Sequence, residues 1–355
     1  MGKKIIRMKP IILFEGRYLA SDVDKLKQKY PVWKVVDIYE SQLSELFEIT
    51  YPSLKTTSEY YQAKKKFVDK MKIAGGNWIY YPHIGYLVHA VSENDYYALR
   101  TNRNRNLITL DEQKILRDFT VGVVGLSVGG NIAVALTYQG IANEMKLSEF
   151  DSLETTNLNR IQAALYDIGS FKIDFIADQI YDVNPYANLT LYRQGLNKAT
   201  LHDFIYTNPK PKLIFEIIDD FEMKVYLRIE ARKAGVPVVT LANLGDSILI
   251  DIERYDENRK LPLFHGILGG LPEKFIKNPN DDPNKYAVAL VGKEHVPPRA
   301  MASIKKIYKT LAGRPQLSNT VAINAGLSTF IARQIALKNK MPSMRKQFVF
   351  NTVFL

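Results

Sequence analysis

Arg160, Lys172 and Asp219 are the charged residues through which chemistry can first be read in this chain. They follow a glycine-bearing stretch, V-G-V-V-G-L-S-V-G-G-N, at residues 121–131. The apolar run that opens it has strand character, and Gly125, Gly129 and Gly130 permit a tight turn into a helix. Backbone N–H groups at such a helix start favour an anion, and glycine lets a phosphate come close to the backbone. By itself the loop is a weak signal, because Ser127 and Val128 stand where many nucleotide loops carry glycine. A glycine turn without a ligand has the same composition.

Residues 147–150 are expected to form the next strand, which sets Glu149 and Asp151 at its carboxyl end, where an acid binds ribose hydroxyls. A dehydrogenase would want that acid too. It would not need the Asn157, Arg160 and Lys172 that follow at once. Cations here lie near the tail of a nucleotide whose head the loop holds, with Asn131 and Asn157 beside the phosphates. Neutralising a triphosphate while a carboxylate attacks it calls for that charge.

D-x-x-E-x-x-N-L-N-R at residues 151–160, G-x-x-K ending at Lys172 and the late acids of E-I-I-D-D at residues 216–220 resemble the ThiF/MoeB superfamily of ubiquitin-activating-type adenylyltransferases. The resemblance implies ATP as substrate and Mg2+ held by Asp219. It implies phosphate contacts from Arg160 and Lys172, and a ribose contact from Glu149, where the family usually has Asp. In dimers of that superfamily an arginine from a preceding segment enters the partner's site. Arg103 or Arg105, within L-R-T-N-R-N-R-N at residues 99–106, would be that residue, although a polar linker reads the same way. G-N-W-I-Y-Y-P, L-V-H and R-T-N-R-N-R-N-L-I-T narrow the resemblance to bacterial ThiF-like proteins. Some of these carry a nitroreductase-like region after the adenylating domain, and this sequence ends before any such region.

The elements that must position these residues follow from pattern. The expected fold class is α/β, a doubly wound, mostly parallel Rossmann-like sheet of the ThiF/MoeB type, preceded by a small α+β domain. The division expected is residues 1–98 for the α+β domain, as a substrate-binding or dimer-supporting unit, and 99–355 for the ATP-binding domain. In the first, strands are expected at 10–14 and 33–38 and a hairpin around Pro82 and Gly85, with helices from Ser21, from Ser41 and over 58–73. In the second, strands are expected at 189–192, 213–218 and 235–242, with an antiparallel extension near 251–255. Asp219 then falls at a strand's carboxyl end, on the ligand side of such a sheet. A loop-rich passage including N-P-N-D-D-P-N-K precedes a last helix expected near a homodimer interface. His83 and His89 have no metal-ligand spacing and read as structural. His265, between glycine-rich turns, is the histidine to watch.

Composition sets bounds. The 355 residues are 46% apolar and 24% charged, which is ordinary for a globular chain and enough for a large core. There is no cysteine, so disulfides, Cys-ligated zinc and a thiol nucleophile are excluded from this chain. An acyl-adenylate would therefore pass to a nucleophile from elsewhere. The net charge of +11 comes from scattered lysines with short clusters such as Lys64, Lys65 and Lys66, without aromatic interleaving. A nucleic-acid partner is compatible with that charge but a solvated basic surface is favoured. No apolar run reaches the ~20 residues that span a bilayer, and the basic start lacks a signal-peptide core. The cytoplasm is the expected compartment, with no membrane partner.

The reading that results is ATP- and Mg2+-dependent adenylation of a carboxylate on a peptide, a protein C-terminus or an amino acid. Its rivals are a tRNA-modifying member of the same superfamily, an NAD(P)-dependent oxidoreductase and a non-catalytic scaffold.

Overall fold

The computed structural model describes residues 9–270, 272, 286 and 289–350. Two compact units emerge, the first reaching Gln113 and taking in Asp178–Ala187, the second comprising Lys114–Ala177 and the chain from Asn188 onward. The segment at residues 99–106, assigned above to the ATP-binding domain, falls in the first unit.

The first unit is α+β. Strands β1 (Ile11–Leu13), β2 (Lys34–Asp37), β3 (Asn77–Tyr81) and β4 (Tyr86–Ala90) form one sheet in the order β1-β3-β4-β2. The expected hairpin is β3–β4, antiparallel, turning at Gly85 with a positive φ. Helices α1 (Ala20–Lys29), α2 (Tyr39–Thr50), α3 (Tyr60–Met71) and α4 (Glu93–Thr101) complete it. Strand alternation divides its apolar residues. Tyr80 and Leu87 pack with Val23 and Leu26 of α1, whereas Ile79, Tyr81 and Ala90 cluster with Tyr186.

The second unit follows α5 (Leu110–Arg117) and is built on a seven-stranded sheet. Its strands are β5 (Val121–Val124), β6 (Glu144–Ser148), β7 (Asn188–Tyr192), β8 (Leu213–Glu216), β9 (Val238–Asn243), β10 (Ser247–Glu253) and β11 (Met344–Val349). Their order is β11-β10-β9-β8-β5-β6-β7, and the five from β9 to β7 run parallel. Val121, Val123, Leu147 and Leu213 to Phe215 are fully buried, as strands covered on both faces require. Helices α6 (Gly129–Tyr138), α7 (Lys172–Val183), α8 (Lys198–Tyr206), α9 (Phe221–Ala234), α10 (Pro298–Ile304) and α11 (Ser318–Ala336) accompany the sheet. The last of these packs along α6 and against β9.

From β5 the chain winds outward to β6 and β7, then returns to place β8 on the other side of β5. The carboxyl ends of β5 and β8 therefore part into a crevice, where ligands of open α/β sheets bind. The antiparallel extension expected near 251–255, after a strand-like S-I-L-I, is β10, which runs through both stretches from Ser247 and ends at Glu253. The strand β11 was not anticipated, because M-R-K-Q-F-V carries its charge inside the strand pattern. The N-P-N-D-D-P-N-K stretch lies outside the described residues. Among the described residues, no helix is long and apolar enough to cross a membrane.

Candidate nucleotide site

Three glycines shape the turn after β5, each for a different neighbour. Gly125 has φ +86°, and a Cβ there would lie 2.5 Å from the Ile217 carbonyl oxygen beyond β8. At Gly129 a Cβ would meet Val123 at 2.9 Å, and at Gly130 it would meet Ile176 of α7 at 2.5 Å. Hydrogen bonds tie the same strand ends together. The Gly125 N–H donates to Ser148 O at 2.9 Å, and the Ile217 N–H to Val124 O at 2.8 Å. The N–H groups of Gly130 and Asn131 turn inward to Leu126 and Val128 carbonyls. Those of Ser127, Val128 and Gly129 have no protein partner among the described residues.

Glu149, one residue past β6, is buried, and its carboxylate braces this turn. One oxygen accepts from the Leu126 N–H at 2.9 Å, the other from the N–H groups of Phe150 and Asp151 at 2.8 and 3.1 Å. A carboxylate offers about four acceptor positions, so one of them is left.

The cations arrive on the following loop and helix. Asn157 is buried and caps its own 3-10 turn, its side-chain oxygen accepting from Glu154 N–H at 3.1 Å. Its neighbour Arg160 is linked to the glycine turn, because Asn131 Nδ2 donates to Arg160 O at 3.4 Å. The Arg160 guanidinium donates from Nη1 to Thr156 O and Asn159 Oδ1 at 3.1 and 2.9 Å, while its buried Nε finds no partner. Burial lowers its pKa from the ordinary value, and the charge of Asp219 works in the opposite direction. Lys172, the first residue of α7, is buried and its Nζ lies 3.0 Å from the half-exposed Asp151 carboxylate.

Asp219 follows β8 with an exposed side chain, which pairs with Arg314. Its neighbour Asp220 is spent as the N-cap of α9, accepting from the Met223 N–H at 3.1 Å. The glycine turn, Glu149, Asp151, Asn131, Arg160, Lys172 and Asp219 thus gather at the carboxyl ends of β5, β6 and β8. Arg103 and Arg105 belong to the first unit and are exposed, with Arg105 donating to Ile49 O at 3.4 Å. His89 stacks on Trp78 at 4.3 Å and faces Asp37 at 3.1 Å, while His83 lies 2.8 Å from Asp182. Among the described residues no group of three or more His, Cys, Asp or Glu side chains is placed to hold a metal ion.

Two features beside the site escaped sequence reasoning. One is Arg314. The other is a charge network on the α9 side of the sheet, fully buried at Glu216, Arg228 and Glu253. Glu216 bonds Lys224 at 2.7 Å and Arg228 at 2.8 Å, and Arg228 reaches Glu253 at 2.6 Å. Burial raises the Glu216 pKa, but the charges of Lys224 and Arg228 outweigh it and hold the carboxyl at about 2. A legible signal was present, because Lys224 and Arg228 are four apart on one face of α9. Next to this network His265 sits 2.6 Å from buried Asp251, which also binds Arg345 at 2.8 Å.

The ThiF family model matches residues 101–345. An uncharacterized protein of Mycobacterium tuberculosis is 34% identical over 269 residues, covering 76% of this chain, which spans only 37% of that protein's length. The tRNA threonylcarbamoyladenosine dehydratase of Bacillus subtilis is 26% identical over 181 residues, 50% of this chain and 70% of that enzyme. Among solved structures, E. coli tRNA N6-threonylcarbamoyladenosine dehydratase in complex with AMP has a TM-score of 0.51 at 20% identity, covering 70% of this chain and 98% of the other. That likeness establishes the fold.

Proposed function

The chain belongs to the ThiF family, and from that premise we propose that it binds ATP with Mg2+ and adenylates a carboxylate. One observation carries the reading above the others. The half-buried Arg160 guanidinium keeps its buried Nε–H unspent and has Asp219 as its opposing charge, and the Arg160 carbonyl is bonded to Asn131 of the glycine turn. A partly desolvated cation with a spare donor fits an anion that has yet to arrive.

The N–H groups of Ser127, Val128 and Gly129 would receive phosphate oxygens, helped by the start of α6. Glu149, through its remaining acceptor position, and Asp151 would serve the ribose. Lys172 and Arg160 would neutralise charge as it shifts toward the leaving pyrophosphate, with Asn131 and Asn157 holding the Arg160 loop. Mg2+ keeps several waters and takes one or two carboxylates plus substrate phosphates, so the exposed carboxylate of Asp219 suits it. Bound there, the ion would offset the charge of the phosphates. In the reaction a substrate carboxylate oxygen attacks the α-phosphorus and the bond to the β-phosphate oxygen breaks. Acyl-adenylate and pyrophosphate result, and the absence of cysteine from this chain leaves the acyl group for an external nucleophile.

The carboxylate belongs, in this proposal, to a peptide, a protein C-terminus or an amino acid, with the first unit as its binding or dimer-supporting domain. A homodimer would let Arg103 or Arg105 enter the partner's site. The kinship with tRNA threonylcarbamoyladenosine dehydratases supports a second reading, activation of a carboxylate on a tRNA nucleoside, and co-purifying RNA would favour it. ATP–pyrophosphate exchange, screened over these carboxylates, tests the proposal. Exchange should appear with one class and fall at least a hundredfold in Arg160→Ala and in Asp219→Ala. Full exchange in both variants would remove the mechanism.

A further inference from the structure

The segment carrying Arg314 precedes α11 and meets Asp219 and Asn159, on the loops that follow β8 and β6. It is fastened to the second unit by two bonds on the carboxyl side of Arg314. Asn159 Nδ2 donates to Gln316 O at 2.9 Å, beside Arg160, and Thr320 Oγ1 of α11 donates to Gly245 O. Pro315 follows Arg314 and disfavours helical backbone at that residue, so the chain there stays extended. From this position the Arg314 guanidinium meets the Asp219 carboxylate, although both side chains are largely exposed.

An exposed ion pair adds at most about 1 kcal/mol to folding, so stability does not account for its placement. The pair sits on Asp219, the carboxylate proposed above to hold the metal. Unpaired, that carboxylate would repel an incoming polyphosphate, since like charges disfavour one another at short range. Mg2+ at Asp219 would compete with Arg314 for the Oδ1 that the guanidinium now holds. We propose that Arg314 is the resident counter-ion of Asp219, neutralising it until a metal-bound nucleotide displaces the guanidinium. The inference rests on the nucleotide reading given above. It makes Arg314 a stand-in for the metal, so that the two act in alternation on one carboxylate.

Calorimetric titration of ATP, once with Mg2+ and once with EDTA, tests this on the full chain, with circular dichroism confirming that each variant folds. The quantity to follow is the ratio of Kd in EDTA to Kd in Mg2+. Arg314→Ala should raise that ratio tenfold or more, and Arg314→Lys should keep it near the parent value. In an Asp219→Ala background, adding Arg314→Ala should move it less than twofold, because no carboxylate remains to be neutralised. Weakening by the same factor in both media would make Arg314 a direct phosphate ligand and overturn the counter-ion role. An unchanged ratio would overturn it as well. Failure of the parent protein to bind ATP in either medium would remove the nucleotide reading, and this inference with it.

Discussion

Replacing Arg228 with methionine isolates what holds the sheet together behind the site. Arg228, Glu216 and Glu253 are each at most 1% exposed, so the guanidinium is shared by two carboxylates that water does not reach. In Arg228→Met, Glu216 keeps Lys224 at 2.7 Å. Glu253 keeps only neutral donors, the Tyr255 hydroxyl at 2.6 Å and the Phe264 N–H at 2.7 Å. Removing one partner of a buried pair costs about 3–5 kcal/mol, because the charge left behind is uncompensated. Burial already pushes the Glu253 pKa up against the pull of Arg228. Without that pull it rises further, and a carboxyl raised in the folded state penalises folding only above its unfolded pKa. The deficit should therefore be largest near pH 7.5 and shrink as pH falls toward about 4.5, where an ordinary carboxyl protonates in the unfolded chain. Both tryptophans, Trp33 and Trp78, lie in the first unit, so their fluorescence would miss the transition. Urea unfolding followed by far-UV circular dichroism at pH 7.5 and pH 5 reads it instead. Arg228→Met/Glu253→Gln should recover at least half of the loss. A deficit below about 1 kcal/mol, or one equal at both pH values, would refute the argument.

Gly125→Ala should lower the melting temperature more than Gly169→Ala. Both positions have positive φ, but a Cβ at Gly125 meets a backbone carbonyl whereas Gly169 has nothing within 4 Å. Left-handed backbone costs about 1–2 kcal/mol at either residue, so calorimetry giving equal shifts would show that the close approach to Ile217 does not matter. The His265 pKa is raised, first by its hydrogen bond to Asp251, with burial opposing. Stability from this pair is then fully present below the unfolded value near 6.5 and is lost as pH rises through the higher folded value. Asp251→Asn should bring the imidazole titration, followed by NMR, down toward or below 6.5, and an unchanged midpoint would exclude Asp251 as the cause.

The parallel half of the sheet was legible where its strands are short apolar runs bounded by turn residues, as in V-G-V-V of β5 and L-I-F of β8. The site was legible because its residues cluster in sequence just after strand ends. What could not be read depends on long-range pairing. The strand β11 becomes recognisable when Arg345 is seen meeting Asp251, 94 residues away. Arg314 reaches Asp219 across 95 residues, and no local pattern records that. Glu149 was expected to act on a ligand, but its three bonds to backbone N–H groups also give it a part in forming the turn.

The buried network and the site meet in one residue. One oxygen of Glu216 is held by Arg228 and Thr240, at 2.8 and 3.2 Å. The other accepts from Lys224 at 2.7 Å and from the Ile218 N–H at 3.0 Å, immediately before Asp219. The Ile217 N–H is held in turn by Val124 O, the last carbonyl before Gly125. Only Ile217 and Ile218 therefore separate a fixed buried carboxylate from an exposed one, with the strand end before the glycine turn bonded to the first of them. A carboxylate at the end of a loose loop would lose entropy on closing around a phosphate-bound ion. Anchoring the backbone one residue earlier removes much of that loss while leaving the Asp219 side chain free to exchange partners. The cost of burying Glu216, Arg228 and Glu253 behind the sheet is thus offset by rigidity delivered at the backbone before Asp219.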